Sequence, residues 1–89
     1  MQRRLIHYSG QVQGVGFRYA VDRAAAGRAV TGYVANLPEG RVELLVEGTV
    51  AEIEILLAEI SERFAGQISD VATQDSPATG EFTGFAVRH

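Results

Sequence analysis

The run Gln11-Val12-Gln13-Gly14-Val15-Gly16-Phe17-Arg18 changes character half-way, from the end of an alternating segment to the start of a helically spaced one. Upstream, Ile6, Tyr8, Gly10 and Val12 alternate with Leu5, His7, Ser9 and Gln11, a period of two that predicts a strand from Arg4 to Val12. Downstream, Phe17, Ala20, Val21 and Ala24 share one helical face, Asp22 and Arg23 point outward, and Gly27 offers a stop. Two glycines one residue apart free the backbone to turn its N–H groups inward, and the helix N-terminus just beyond adds the positive end of its dipole. That is the layout of an anion cradle. Arg18 falls in the first helical turn, where the dipole disfavours a cation by about 0.3–1 kcal/mol unless an anion lies between them.

Working outward, Val30 to Leu37 reads as a strand, Pro38-Glu39-Gly40 as a turn, and Arg41 to Glu47 as the returning strand of a hairpin, with Val42, Leu44 and Val46 on one face. Thr49 and Glu52, three apart, form a capping-box signature. Behind them Ile53, Leu56, Leu57, Ile60 and Phe64 make one helical stripe, ended by Gly66. Ile68 to Asp75 reads as a strand, Ser76 to Gly80 as a loop, and Phe82 to Arg88 as a short last strand. This order predicts an α+β fold, the ferredoxin-like α/β sandwich: βαββαβ with a short extra C-terminal strand, two helices on one face of a mostly antiparallel sheet. Such a fold hosts enzymes, nucleic-acid binders and ligand sensors alike, so function must be read from a site.

Composition narrows the field. With 89 residues and 46% hydrophobic content, one domain over residues 1–89 with one core is expected. Eight basic against eleven acidic residues leave a net charge of −3, which argues against a protein that coats nucleic acid or an anionic membrane. The absence of cysteine removes disulfides, a thiolate nucleophile and thiolate metal sites. The start, Met1-Gln2-Arg3-Arg4-Leu5-Ile6-His7, lacks the apolar run of a signal peptide, and nothing approaches the ~18 apolar residues of a membrane span. A soluble, unprocessed, cytoplasmic monomer is the expectation.

Each candidate has an ordinary reading beside the functional one. Gly14 and Gly16 serve equally as turn glycines between a strand and a helix. The loop is neither a P-loop, for want of a following Lys-Ser or Lys-Thr, nor a dinucleotide fingerprint, whose spacing differs. Arg18 can pair with Asp22, four residues on, for only ~0.3–0.5 kcal/mol. Asn36, before a proline turn, can bond its own backbone. His7 in mid-strand and His89 at the end are poor general bases, His89 being expected to fray, and two histidines without a third ligand make no metal site.

Three stretches together resemble the acylphosphatase family over nearly the whole chain: Gly10-Gln11-Val12-Gln13-Gly14-Val15-Gly16-Phe17-Arg18, then Gly32-Tyr33-Val34-Ala35-Asn36-Leu37-Pro38-Glu39-Gly40-Arg41-Val42-Glu43, then Glu47-Gly48-Thr49. The resemblance implies metal-independent hydrolysis of acyl phosphates to carboxylate and phosphate, with Arg18 and Asn36 catalytic. The backbone N–H groups of Gly14, Val15, Gly16, Phe17 and Arg18 would hold the phosphate. It implies a small-molecule acyl phosphate as partner, no nucleic acid or membrane partner, and no cofactor or metal. The residue inventory suits this chemistry: without cysteine, a placed histidine or a carboxylate pair, hydrolysing an alkyl phosphate ester is out of reach, whereas an acyl phosphate departs as a stable carboxylate.

The pattern departs from the family at Ala35, where many relatives carry arginine, and at Tyr33, where tryptophan is common; Ala35 withdraws a second positive charge from the region. The alternative is a non-catalytic module of the same fold that binds phosphate or carbamoyl phosphate, as in the related domain of hydrogenase maturation proteins. A third reading, an RNA-binding sheet resting on Gly80-Glu81-Phe82-Thr83-Gly84-Phe85-Ala86-Val87, lacks the leading basic residue and a second strand aromatic beyond Tyr8.

Overall fold

The computed structural model describes every residue from Met1 to His89. Seven elements follow in order: β1 (Gln2–Gly10), α1 (Phe17–Ala26), β2 (Val30–Asn36), β3 (Val42–Gly48), α2 (Val50–Arg63), β4 (Ile68–Pro77) and β5 (Phe85–Arg88). The sheet runs β4-β1-β3-β2-β5, with β5 parallel to β2 and every other pair antiparallel. This is the ferredoxin-like sandwich expected from the pattern of elements.

The core forms because one face of each central strand carries the apolar set. Ile6 lies opposite Leu44 and Tyr8 opposite Val42, while Val34 meets Leu44 from the other side. Onto these pack Phe17, Val21 and Ala25 from α1 and Ile53, Leu56, Ile60 and Phe64 from the second helical segment, all buried. Phe17 meets Tyr8 edge-on at 5.1 Å between ring centroids and Phe64 at 4.7 Å, so the first residue of α1 is pinned between sheet and α2. Backbones approach closely at Gly32, with φ of +138°, where an added Cβ would lie 1.9 Å from the Leu45 carbonyl oxygen.

Several features differ from the sequence expectation: β4 runs on through Ser76 and Pro77, which pair with Arg3 and Gln2, rather than ending at Asp75, and three further differences follow. β1 ends at Gly10 rather than Val12, because its register against β4 shifts between Ser9 and Gly10 and Gln11 N–H donates to Gln67 O at 2.9 Å. Val12 still buries its side chain and anchors the loop that follows. The last strand is only Phe85–Arg88; Phe82 has left the sheet and tilts against Tyr33, centroids 6.0 Å apart. The capping box is half formed: Thr49 accepts from Glu52 N–H, but the Glu52 carboxylate takes the Ala29 N–H instead of returning to Thr49.

Candidate active site

The loop between β1 and α1 is shaped by its two glycines. Gly14 has φ of +75° and Gly16 of +80°, while Val15 between them, like every non-glycine residue, keeps a negative φ. This alternation of hand turns successive N–H groups toward one side. Gly16 is the N-cap of α1, and no side chain caps that end; its first turn holds no acidic residue. Among the loop and cap bonds of the backbone, the first donor of this stretch to find an acceptor is Ala20 N–H, which goes to Gly16 O at 3.1 Å. The amides from Gly14 to Tyr19 are therefore left without a carbonyl partner. A cradle has amides to offer only in that condition.

Arg18 turns from the helix toward the C-terminus. Its Nη1 donates to Arg88 O at 3.2 Å and lies 3.3 Å from His89 Nδ1. The helical pair with Asp22 does not form: no carboxylate stands within ion-pair distance of this arginine. His89, expected to fray, instead sits beside the guanidinium. That contact was invisible in the sequence, since 71 residues separate the pair.

Asn36 closes β2, opposite Val42. Its Oδ1 is buried and has no hydrogen-bond partner, so the side-chain oxygen does not make the Asx-type bond expected of a turn-starting asparagine. Leaving a buried acceptor unpaired costs about 1–3 kcal/mol, and a group retained at that cost calls for an explanation beyond the turn.

These residues converge. One cleft of about 230 Å³ is bordered by Gly14, Gly16, Arg18, Tyr19 and Asn36, over a floor of Val12 and Phe17. No carboxylate lines it, and Arg18 is its only charged side chain. Tyr19 and Val15 stand exposed beside it and supply an apolar rim. The sequence reading missed Gln13: its Nε2 donates to Leu37 O at 2.8 Å and to Arg41 O at 3.0 Å, tying the glycine loop to the β2–β3 turn. The clue was present, a polar residue ahead of the first glycine, but its acceptors lie 24 and 28 positions away. Nowhere do three His, Asp or Glu side chains gather as a metal site would need.

Elsewhere on the sheet, His7 is not a bare surface residue: its Nε2 lies 2.8 Å from Glu43 Oε1, and Tyr33 donates to Glu43 Oε2 at 2.7 Å. Burial pushes the Glu43 carboxyl up, but these two hydrogen bonds, together with the nearby positive charge of Arg41, outweigh it and leave the group below its ordinary value. Tyr33 also lies under the Arg88 guanidinium, 3.9 Å from its ring centroid.

Fold and cleft define a ferredoxin-like sandwich with an open, amide-lined pocket at one end of its sheet. The acylphosphatase family profile matches residues 5–87. An acylphosphatase of Marinobacter nauticus is 42% identical over 84 residues, covering 91% of this chain and 89% of that one. The crystal structure of acylphosphatase from Bacillus subtilis superposes with a TM-score of 0.90 at 29% identity, all of both chains being covered. Full-length HypF, in its phosphate- and nucleotide-bound form, matches with a TM-score of 0.84 at 28% identity, over 99% of this chain but 12% of that one. The chain belongs to the acylphosphatase family.

Proposed function

We propose that this protein is an acylphosphatase whose cleft at the Gly14–Arg18 loop carries the reaction. The observation that carries the reading is the convergence of Gly14, Gly16, Arg18 and Asn36, spread over 23 positions of sequence, on one cleft without a carboxylate. In this reading the N–H groups of Gly14, Val15, Gly16, Phe17 and Arg18, with the Arg18 guanidinium, hold the phosphoryl oxygens. The Asn36 side-chain amide holds the attacking water and aims its lone pair at phosphorus. A new P–O bond forms, the bond from phosphorus to the acyl oxygen breaks, and its electrons leave on the carboxylate. The water's proton passes to a phosphate oxygen. The leaving group needs neither an acid nor a Lewis acid, because a carboxylate is stable at neutral pH. The acyl group would rest on the rim of Tyr19 and Val15.

We also propose that residues 1–89 act as one domain, as a monomer, in the cytoplasm. No helix is long and apolar enough to cross a membrane. A sedimentation mass near twice 9.6 kDa would overturn the monomer, and recovery of the protein outside the cytoplasm on fractionation would overturn the location.

The test of the site is hydrolysis of benzoyl phosphate in EDTA by the wild type and two variants. Arg18→Gln removes charge-assisted hydrogen bonds worth ~1.5–3 kcal/mol each, and kcat/KM falls by about 10² to 10⁴. Asn36→Ala costs about 10² to 10³, on the scale of deleting one oriented polar partner. Near-normal rates in both variants would overturn the residue roles. Tight phosphate binding without turnover in the wild type would instead favour a binding module.

A further inference from the structure

We propose that Gln13 is a positioning residue, which sets the spacing between the phosphate loop and Asn36. This rests on the roles given above to the Gly14–Arg18 loop and Asn36. Gln13 immediately precedes Gly14, and Leu37, whose carbonyl it engages, immediately follows Asn36. The link therefore stands one residue from each of the two elements that must meet at phosphorus.

The chemistry of the link is specific to a side-chain amide. The donor atom reaches two carbonyls, Leu37 O at 2.8 Å and Arg41 O at 3.0 Å, and uses both of its hydrogens. Both acceptors belong to the neck of the β2–β3 turn, which is itself closed by Leu37 N–H donating to Arg41 O at 2.8 Å. With two carbonyls as partners, only the NH₂ side of the amide fits, so the orientation follows from the partners. A carboxylate there would face two carbonyl oxygens, and an ammonium would bring a second charge beside the cradle.

The loop needs such a tie because it has little stiffness of its own. Gly14 and Gly16 leave the backbone free in a way no other pair of residues would. Val12 and Phe17 fasten its ends to the core, and Gln11 N–H fastens it to Gln67. Those anchors fix the loop against the core and the turn that leads into β4. Gln13 links it by hydrogen bonds to the turn that follows Asn36, and near-attack geometry is lost for displacements as small as about 1 Å.

The expected signature is a split between chemistry and binding. In Gln13→Leu, similar in bulk but without donors, kcat for benzoyl phosphate falls about tenfold to a hundredfold. The competitive inhibition constant of inorganic phosphate changes less than about threefold, because the amides and Arg18 that hold phosphate lie within one continuous segment. Combined with Asn36→Ala, Gln13→Leu produces no further loss of kcat, since the group it aligns is gone. Should Gln13→Leu not fold, Gln13→Asn, whose shorter arm reaches at most one of the two carbonyls, is read in the same cycle.

Three results would overturn the proposal: kcat unchanged in the single variant, phosphate affinity falling in step with kcat, or an undiminished loss in the Asn36→Ala background. If Asn36→Ala alone leaves kcat intact, the roles assigned to the site fall and Gln13 with them. If Asn36→Ala is slow and the Gln13 effect simply adds to it, only the positioning role falls.

Discussion

Opposite ends of the sheet hold two arrangements built from the same parts. At one end Glu47, buried at the close of β3, accepts from the N–H groups of Thr79 at 2.9 Å and Gly80 at 3.0 Å, from the Thr79 hydroxyl, and from Arg3 Nε at 2.7 Å. At the other end, the free amides of the Gly14–Arg18 loop and an arginine surround a cleft with no carboxylate. Two amides and a guanidinium around a resident anion make a structural staple, which holds the 78–81 segment against the sheet. The same equipment with no carboxylate of the chain among it suits a ligand's negative charge. The Glu47 carboxyl shows how strongly such parts favour negative charge. The Thr79 amide above all, then the Gly80 amide, Arg3 and the Thr79 hydroxyl, hold it down to about 2 although burial opposes this.

One substitution made at both ends separates the roles. Arg18→Gln lowers kcat/KM by the 10² to 10⁴ argued above and leaves Tm within about 2 °C, since its partners in the chain are a single carbonyl and a terminal histidine. Arg3→Gln does the reverse. Arg3 bridges Glu47, Thr79 and Glu81, so losing it lowers Tm, with turnover at 25 °C unchanged within about twofold. Thermal melts and benzoyl phosphate kinetics on both proteins decide it. A melt that collapses in Arg18→Gln, or a rate that collapses in Arg3→Gln, would erase the distinction between staple and ligand cleft.

Acid tests the filled end most directly, although Glu43 and Glu39 are also held low. Glu47 titrates near 2 when folded and near the ordinary 4.5 when unfolded, so between these values the unfolded chain binds more protons. The contribution of Glu47 is fully present above about pH 4.5 and is lost as pH falls toward 2. Glu81, held down by Arg3 and Thr79, shifts in the same direction. Urea midpoints should fall through this window, and Glu47→Gln should flatten the fall. An equally steep loss in that variant would place the acid sensitivity elsewhere.

The two ends were not equally legible. The glycine loop and Arg18 announce themselves because a local rule is broken at each: paired glycines where one suffices, a cation at the wrong helix end; Asn36 reads locally as a turn-starting asparagine, and only the family resemblance marks it out. The elements were legible for a related reason, since periods of two and 3.6 are local, and the Ile53–Phe64 stripe buries as its spacing demands. Glu47 carries no such mark. Alternation placed it on the outer face of β3, and only the return of Thr79 and Gly80, 32 and 33 residues later, buries it. Gln13 and Phe82 escaped for the same reason, their partners being distant in sequence. The parallel pairing of β5 with β2 is likewise a tertiary choice, marked by nothing within four residues of strand.

Phosphate binding in the cleft should have a smaller but measurable effect. Inorganic phosphate at ten times its Kd stabilises a one-site protein by about 1.4 kcal/mol, which for this chain length is roughly 5–10 °C in Tm. Arg18→Gln should cancel most of that rise at the same phosphate concentration, while Arg3→Gln, starting from a lower Tm, should show it in full. A rise that survives in Arg18→Gln would move the bound anion away from the cleft.

The smallest contrast lies between the two helix N-termini. α2 is finished: Thr49 accepts from Glu52 N–H at 3.2 Å, and an acidic residue occupies the first turn. α1 has Gly16 in the same position, no side-chain cap and an arginine instead of an acid. A cap removed from the finished end should cost stability and nothing else. Thr49→Ala is expected to lower stability by about 1 kcal/mol, a shift of roughly 4–8 °C, with kcat and KM unchanged. A donor left unpaired at α2 meets only water. The donors at α1 stay exposed because the anion that completes that helix arrives with the substrate, and a Thr49→Ala protein that lost activity without unfolding would contradict this division.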